Sequence, residues 1–491
     1  MDVESYGMRQ RIGLVAGAAL FAVLLMVPSP EGLAESGWRT AAVAVLMGTW
    51  WITEALPIPV TALLPIVLFP VLDILSIGAA TSPFANPLIF LFMGGFVIAI
   101  AMERWKLHRR IALNIVHFVG VKPSSIIIGF IVAGAFLSMW VSNTATTLMM
   151  LPIALSVLEL IERESDRQNK LNFEIALVLC IAYACNIGGM GTIIGTPPNA
   201  LLVGFMSENY GIEISFLDWM TVGVPIMVIG LPIMYLVLTK VIYPIRLEKL
   251  SGGREFIQSQ LRELGSITNA EKKVAAVFVC TALLWIIRPL LSDLLPGLSD
   301  AGIAIAAAVV LFVIPVDFDE GEFVLSWSDT QKLPWGVLIL FGGGLSLASA
   351  ISETGLADWI GQGVGGLQAW PIVLMLAAVI LVVVFLTEMT SNTATTAAFL
   401  PILASVAVGL GQNPILFIIP AALSASCAFM LPVATPPNAI VYGSGKVSIP
   451  EMSKAGLWLN LIFITLLTAA TFTLIAWVFN VELGVLPPWV G

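Results

Sequence analysis

The residues with the clearest capacity for chemistry lie in two copies of the hexamer SNTATT, at 142–147 and 391–396. Ser, Asn and Thr side chains carry oxygen atoms that bind hard cations and polar hydrogens that bind anions. Each hexamer stands in an otherwise apolar stretch, and a Leu-Pro pair follows it. Two identical polar hexamers in such surroundings indicate a duplication, and their chemistry depends on the elements that hold them.

A second duplicated motif, TPPN, follows each hexamer further along the chain, beginning at Thr196 and at Thr435. Proline lacks an amide hydrogen and suits the first turn of a helix, so each motif is expected to interrupt one helix and begin another. The threonine is then the N-cap residue, and Pro197 is the first helical position in the first copy. We therefore predict two broken helices, over 173–206 and 414–445.

The composition is that of a membrane protein. Of the 491 residues, 58% are hydrophobic and 11% are charged, whereas soluble domains carry about 25% charged residues. Apolar runs of about 20 residues, the length that spans a bilayer as a helix, recur along the chain. The few Lys and Arg residues are scattered near predicted helix ends, which indicates no nucleic-acid partner. The protein is therefore predicted to be an all-α polytopic membrane protein in the lipid bilayer.

The apolar runs predict about eleven transmembrane helices, including one over 58–75. Cytoplasmic loops are enriched in Lys and Arg, and a cytoplasmic N-terminus places most of these residues, with the loop 244–272, on that side. The assignment requires 122–160 and 370–409, which contain the two hexamers, to return to the side they entered from. Both are predicted to be re-entrant hairpins, the alternative being pairs of full crossings for which they are barely long enough.

The two halves of the chain repeat each other. The offset of 249 residues that aligns the hexamers also aligns LFMGGFVIAIA (91–101) with LFGGGLSLASA (340–350). Basic or mixed segments follow the first copies, whereas the segments after the second copies lack positive charge. Like sequence with opposite flanking charge is typical of an inverted-topology repeat. The predicted division is an N-terminal helix and outer loop (1–37), a first repeat (38–243), a cytoplasmic linker (244–272) and a second repeat (273–491).

An inverted repeat brings the four interruptions together near the middle of the membrane. Each hairpin tip presents free carbonyl groups where one arm ends and free N–H groups where the next begins. Helix N-termini favour anions, and carbonyl oxygens favour a hard cation such as Na⁺. Neither tip contains Lys or Arg, so bound cations are expected to neutralise the anion. This layout predicts a sodium-coupled anion transporter.

The motif set resembles the divalent anion:sodium symporter (DASS) family over nearly the whole chain. The resemblance rests on both SNTA segments, GTPPN, ATPPN and TWWITEALPIPVTALLPIVLFP (49–70). It implies a homodimer in the cell inner (plasma) membrane, with a scaffold domain and a transport domain that moves as an elevator. It also implies Na⁺ as the coupling ion and C4-dicarboxylates such as succinate, malate and fumarate as substrates. Citrate or sulfate transport and sodium-independent dicarboxylate/2-oxoglutarate exchange remain alternatives.

The resemblance also implies site residues, carried over motif by motif. The first sodium site would comprise Ser138, Ser142, Asn143 and Gly195. The second would comprise Thr387, Thr390, Asn392 and Ala434. Substrate would be bound by Asn143, Thr144, Asn392 and Thr393, with the pocket closed by Thr196, Pro197, Thr435 and Pro436. The hydroxyls of Ser138 and Thr387 favour sodium coupling over exchange.

Two acidic residues of the predicted membrane segments, Glu54 and Glu388, have alternative roles, and two classes of function other than transport are considered after them. Glu54, at the end of a predicted span, is interpreted chiefly as a structural acid, although intramembrane acids are functional candidates. Glu388 either biases the second cation site or holds the base of its hairpin. An intramembrane hydrolase is disfavoured because the apolar spans contain no nucleophile with a base in reach. A channel is disfavoured because duplicated broken helices suit alternating access.

Overall fold

A computed structural model describes residues 7–120, 122–159, 167–247, 253–291, 294–363 and 370–490. Parts of the predicted N-terminal segment, of the linker and of both repeats, together with residue 160 of the first hairpin, lie outside the described residues. The described fold is helical except for one antiparallel pair of short strands, β1 (Pro315–Asp317) and β2 (Glu322–Phe323). The all-α class predicted from composition is confirmed.

The first half begins with helices that alternate with short connections. They are α1 (Met8–Met26), α2 (Glu35–Thr53), α3 (Ile58–Thr61), α4 (Leu64–Val71), α5 (Ile77–Thr81), α6 (Pro87–Arg104), α7 (Leu107–Val119), α8 (Pro123–Ser138), α9 (Asn143–Glu159), α10 (Arg167–Gly189), α11 (Pro197–Tyr210) and α12 (Phe216–Leu236). Short 3₁₀ segments occupy Ser82–Ala85 and Ile193–Gly195, and a π-helical segment, Val237–Ile242, extends α12. Helix α13 (Gly253–Glu263) lies in the predicted linker and packs on α7.

From α16 onward, the second half repeats the order of elements that begins at α6 in the first half. Its helices are α14 (Asn269–Leu291), α15 (Asp300–Val313), α16 (Trp335–Glu353), α17 (Leu356–Gly363), α18 (Ile372–Thr387), α19 (Asn392–Gly409), α20 (Ile415–Ala425), α21 (Pro436–Gly443), α22 (Ile449–Ala470) and α23 (Ala476–Val478). The 3₁₀ segments are Trp327–Lys332, Pro432–Ala434 and Pro488–Val490, and a π-helical segment, Thr471–Ile475, joins α22 to α23.

Eight of the described helical segments are long and apolar enough to cross a membrane. They are Met8–Met26, Ile77–Arg104, Gln168–Gly189, Phe216–Ile242, Asn269–Leu291, Trp335–Glu353, Asn392–Gly409 and Ile449–Val478. The prediction of one continuous helix over 58–75 is wrong, because α3 and α4 are separate short helices. Pro65 has no amide hydrogen to bond to the Thr61 carbonyl, which ends α3 there.

The matched Gly-Gly elements make close backbone contacts in both halves. A Cβ atom on Gly94 of α6 would lie 2.6 Å from the carbonyl carbon of Ala304 in α15. A Cβ atom on Gly343 of α16 would lie 2.1 Å from the carbonyl oxygen of Ala62. Only glycine permits such an approach, so the duplicated glycines are a packing requirement of the repeat.

The broken helices occupy the centre and contact each other across the two halves. Helix α10 packs on the hairpin helices α8 and α9 of its own half and on α21 of the other half. Helix α11 packs in turn on α19 and α20. The interruptions in both halves are thereby brought to one place, which positions the candidate site.

Candidate substrate and cation site

The two hexamers form the turns of two helix–turn–helix units. Residues 139–142 join α8 to α9, and residues 388–391 join α18 to α19. The Ser142 hydroxyl accepts a hydrogen bond from the Ala145 amide at 3.1 Å, and the Ser391 hydroxyl accepts one from Ala394 at 3.4 Å. Each serine therefore acts as the N-cap of the second helix. The following Asn and Thr residues occupy its first turn, where backbone N–H groups are free.

The asparagine of each TPPN motif holds the interrupted part of its broken helix. Asn199 Nδ2 donates to the carbonyls of Gly189 and Thr192, at 3.0 and 2.7 Å. Asn438 Nδ2 donates to the equivalent carbonyls of Ala428 and Leu431, both at 3.0 Å. Both side chains are fully buried, so these bonds satisfy carbonyls that the unwound helix leaves free. This role was not predicted from the sequence, although the repetition of Asn at the same motif position was a signal for it.

The threonines of the two TPPN motifs differ in their contacts. Helices α11 and α21 begin at Pro197 and Pro436, and Thr196 and Thr435 occupy the N-cap positions as predicted. The Thr435 hydroxyl accepts a hydrogen bond from the Asn438 amide at 3.3 Å. Thr196 makes no such side-chain cap bond. The two motifs are alike in sequence and backbone but not in hydrogen bonding.

Both hairpin turns and both TPPN motifs line one cavity of about 1220 Å³. Every residue that the resemblance assigned to substrate is in its wall: Asn143, Thr144, Asn392, Thr393, Thr196, Pro197, Thr435 and Pro436. The predicted cation residues Ser142, Gly195 and Ala434 also line it. Ser138, Thr387 and Thr390 are buried and lie outside this lining.

Several buried oxygen atoms without a hydrogen-bond partner in the described residues lie in and near the first hairpin turn, around Asn143. A Cβ atom on Gly189 would lie 3.0 Å from the Asn143 amide atoms and 3.0 Å from the Gly195 carbonyl oxygen. Within the described part of the chain, the Ser138 hydroxyl, Asn143 Oδ1 and the Thr146 hydroxyl are buried without a hydrogen-bond partner. Buried polar atoms are normally satisfied, and unpaired oxygens beside a carbonyl suit a hard cation.

The corresponding residues of the second half are more fully paired. The Thr387 hydroxyl lies 2.6 Å from Asn392 Oδ1 and 2.9 Å from the Ala425 carbonyl oxygen. The hydroxyls of Thr390 and Thr395 lie 2.6 Å apart. Two serine hydroxyls that the sequence analysis did not single out, at Ser424 and Ser426, are buried without a partner among the described residues. The second half thus also offers oxygen ligands, in a different arrangement.

Glu388 ties the second hairpin turn to the second broken helix. Its carboxylate accepts backbone hydrogen bonds from Phe429, Met430 and Leu431 at 2.7 to 3.1 Å. It also accepts a bond of 2.7 Å from Asn460 Nδ2. The carboxylate is outside the cavity lining. These contacts favour the interpretation that Glu388 holds the hairpin base.

The charged side chains of the cavity wall come from one end of the molecule. They are Glu54 after α2, Glu103 in the last turn of α6 and Lys332 before α16, and Gln10 in the first turn of α1 lies with them. Two carboxylates and one ammonium give this wall no excess of positive charge for a dianion. The cavity therefore extends from the hairpin turns toward the end at which α1 begins.

The positively charged side chain of Arg9 also contacts the second hairpin turn. Arg9 Nη1 donates to the Met389 carbonyl at 2.7 Å, and Arg9 pairs with Glu54 at 3.4 Å. Glu54 adopts a left-handed conformation as the C-cap of α2. Because Glu54 balances Arg9, the contact joins α1 and α2 to the hairpin without adding net charge to the site.

Lys332 is held at the cavity by a polar turn outside the membrane-spanning helices. Asp329 accepts hydrogen bonds from the Ser326 amide and hydroxyl, and it pairs with Arg104 at the end of α6. Burial acts to raise the pKa of Asp329, but the hydrogen bonds from Ser326 and the Arg104 charge hold it below its usual value. The turn Trp327–Lys332 is thereby fixed to α6.

Eight candidate membrane spans, duplicated helix interruptions and a cavity lined by both copies of each motif are typical of secondary transporters. The family model described as sodium:sulfate symporter transmembrane region matches residues 9–481, and the chain belongs to this family. The resemblance to divalent anion:sodium symporters is confirmed.

Named relatives match over almost the whole chain. A sodium-dependent dicarboxylate transporter of Staphylococcus saprophyticus is 42% identical over 487 residues, covering 98% of this chain and 94% of its own length. Its counterpart in Staphylococcus aureus (strain USA300) is 44% identical over 483 residues, covering 97% and 93%.

Two solved structures share the fold at low identity. The YdaH transporter of Alcanivorax borkumensis has a TM-score of 0.57 at 14% identity, covering 80% of this chain and 86% of that one. MtrF of Neisseria gonorrhoeae has a TM-score of 0.60 at 12% identity, covering 98% and 96%. These two comparisons bear on the fold alone.

Proposed function

We propose that the protein is a sodium-coupled symporter of C4-dicarboxylates such as succinate, malate and fumarate. The observation that carries the proposal is the shared cavity, whose wall includes the SNT segments of both hairpin turns and both TPPN motifs. The sodium-dependent dicarboxylate transporters of the two staphylococci, at 42 and 44% identity, support it. Membership of this transporter family makes an enzyme the wrong class for the chain.

The geometry supports binding of both ends of a dicarboxylate. The helices α9, α11, α19 and α21 begin at the cavity wall, and helix N-termini attract anionic groups. The Asn143 and Asn392 side chains stand at the start of α9 and α19, where their amide groups can donate to carboxylate oxygens. Sodium ions, as co-substrates, would be coordinated by the oxygen atoms behind these asparagines and would balance the charge of the substrate.

Transport is proposed to follow an elevator mechanism of alternating access. The hairpins and broken helices would form the moving domain, and the protein would act as a homodimer in the plasma membrane. With the N-terminus in the cytoplasm, the cavity leads toward the cytoplasmic ends of α1, α2 and α6. The structure would then represent the inward-facing state.

Uptake by proteoliposomes tests the proposal. Labelled succinate should accumulate when sodium is outside and should not when choline replaces it. Unlabelled malate and fumarate should compete, whereas sulfate, citrate and 2-oxoglutarate should compete weakly. Uptake that is equal in choline and requires internal dicarboxylate would favour the sodium-independent exchanger, and stronger competition by sulfate or citrate would reassign the substrate.

A further inference from the structure

The hydrogen bonds of the two TPPN motifs are symmetric except at one side chain. The offset of 239 residues that relates Asn199 to Asn438 also relates Asn186 to Ala425. Asn186 lies in the last turn of α10, is 3% exposed, and lines the cavity. Its Nδ2 atom lies 3.2 Å from the Thr435 hydroxyl and 3.4 Å from Asn438 Oδ1. Asn186 therefore connects the first half of the chain to the TPPN motif of the second.

The orientation of these amides follows from fixed acceptors. The carbonyl oxygens of Ala428 and Leu431 can only accept, so the atom of Asn438 that faces them is the donor Nδ2. Asn438 Oδ1 is left facing Asn186, and it requires a donor. The atom of Asn186 that meets it must be Nδ2, whose second hydrogen is directed to the Thr435 hydroxyl oxygen.

This orientation determines how the Thr435 hydroxyl can act. A hydroxyl has two acceptor lone pairs and one hydrogen. Thr435 Oγ1 accepts one bond from the Asn438 amide and one from Asn186 Nδ2, which occupies both lone pairs. Among the described residues no acceptor receives the Thr435 hydrogen, and the side chain lines the cavity. The hydroxyl is left as a donor toward the cavity.

The first half lacks the same device. Ala425 stands at the position equivalent to Asn186 and has no donor. Asn199 Oδ1, the equivalent of Asn438 Oδ1, is buried without a partner in the part of the chain that the structure describes. Thr196 makes no side-chain cap bond, so its hydroxyl is free to accept as well as to donate. The two ends of the cavity are thus chemically different.

We propose that Asn186 is a positioning residue that commits the Thr435 hydroxyl to donate a hydrogen bond to one carboxylate of the substrate. The Thr435 end of the cavity then selects an ionised carboxylate, whereas the Thr196 end also tolerates a group that donates. This inference rests on the proposed dicarboxylate transport and adds a chemical difference between the two ends of the binding site.

Succinate uptake by Asn186→Ala and Asn186→Asp tests the inference. Asn186→Ala frees a Thr435 lone pair, so the hydroxyl no longer has to donate to the substrate. The KM for succinate should rise roughly tenfold, which corresponds to the typical contribution of a hydrogen bond to a charged group. The sodium concentration for half-maximal uptake should stay within about twofold of the wild-type value, because Asn186 is not a proposed cation ligand. Asn186→Asp should be worse than alanine, because its carboxylate accepts the Thr435 hydrogen and repels the substrate.

A double-mutant cycle separates this role from a structural one. Thr435→Val removes the hydroxyl that Asn186 positions, so adding Asn186→Ala to it should change the KM little. Adding Asn186→Ala to Thr196→Val, the matched control, should multiply the two effects. Should Asn186→Ala fail to accumulate, Asn186→Leu, whose branched side chain fills the site without a hydrogen-bond donor or a charge, carries the same cycle.

The outcomes distinguish this inference from the proposed function. Equal effects of Asn186→Ala in the Thr435→Val and Thr196→Val backgrounds would overturn the inference, as would uptake by Asn186→Asp that equals or exceeds that of Asn186→Ala. Absence of sodium-driven succinate uptake by the wild-type protein would instead contradict the proposed function.

Discussion

At the scale of residues, the site is made of neutral groups in unusually close contact. Gly189 and Gly195 approach so nearly that a Cβ atom on Gly195 would lie 2.4 Å from the Gly189 carbonyl oxygen. The Asn143 amide is packed against the same backbone. The oxygens of these residues are available to a cation because no side chain fills the space between them.

Replacing Gly189 with alanine should therefore damage the proposed first cation site selectively. The added methyl group meets the Asn143 amide and the Gly195 carbonyl, and such overpacking costs about 1–3 kcal/mol. The apparent sodium affinity for succinate uptake should fall about tenfold or more. Gly48→Ala, in α2 with nothing within 4 Å of the new Cβ atom, is the control and should leave the sodium activation curve unchanged. An unchanged curve for Gly189→Ala would place the cation elsewhere.

At the scale of elements, each half holds its unwound segment by a different set of bonds. Asn199 and Asn438 perform the same task in both halves, whereas Glu388 has no acidic counterpart, because Met139 stands at the equivalent position. In the first half the Thr192 hydroxyl donates to the Met139 carbonyl at 2.5 Å. The second hairpin turn is thus held by a charge and the first by neutral groups.

Glu388→Gln should lower the stability of the second half. Hydrogen bonds to a charged group contribute about 1.5–3 kcal/mol each, and glutamine offers one acceptor oxygen where the carboxylate offers two. We expect the unfolding temperature of the detergent-solubilised protein to fall by several degrees. The exposed Glu353→Gln, at the end of α16, controls for loss of a carboxylate and should leave it unchanged. Equal unfolding temperatures for both variants would show that Glu388 does not hold the turn.

Much of the architecture could be predicted because its motifs occur in two copies in the sequence. The duplicated SNTATT and TPPN motifs predicted the turns between α8 and α9 and between α18 and α19, and the first residues of α11 and α21. The contacts that differ between the halves could not be predicted in this way. Asn186 and Glu388 act through partners distant in sequence, and only packing reveals which partner each one meets.

Prolines explain the clearest error at this scale. The apolar run 58–75 has the length and hydropathy of a spanning helix, but the helix requires a backbone donor that Pro65 lacks. The result is two short helices, α3 and α4, and the cavity wall includes the residues 54–59 that precede and begin them. Hydropathy records the apolar character of such a segment and not its continuity.

At the scale of the whole molecule, contacts at two places join elements that an elevator would move apart. Arg9 bridges α1 to the second hairpin turn at Met389. At the first hairpin turn, Trp140 stacks on Trp285 of α14, with ring centroids 6.4 Å apart and planes 7° apart. Phe216, at the start of α12, stacks on the same Trp285 at 4.5 Å. These contacts hold the hairpins in the conformation that the structure shows.

The orientation of this conformation in the membrane can be tested by labelling. Met389 is 61% exposed near the end at which α1 begins. In intact cells, a membrane-impermeant maleimide added outside should not label Met389→Cys, and the same reagent should label it in inside-out vesicles. Glu213→Cys, exposed on a loop predicted to lie outside, should give the reverse pattern. A Cys280→Ser background removes the exposed native thiol.

Labelling of Met389→Cys from outside, with Glu213→Cys labelled only from within, would invert the proposed topology. Labelling of Met389→Cys from both sides would show that the second hairpin turn becomes accessible to each side of the membrane in turn. That result would not change the assignment of the site residues.

A cavity wall without excess positive charge should bind a dianion only after it has bound cations. Equilibrium binding of labelled succinate to the purified protein, in sodium and in choline at equal ionic strength, tests it most directly. We expect binding by the wild-type protein that rises steeply with sodium and is absent in choline, and we expect the binding in sodium to be lost when Asn143 or Asn392 is changed to alanine. Wild-type binding of equal affinity in sodium and in choline would contradict it.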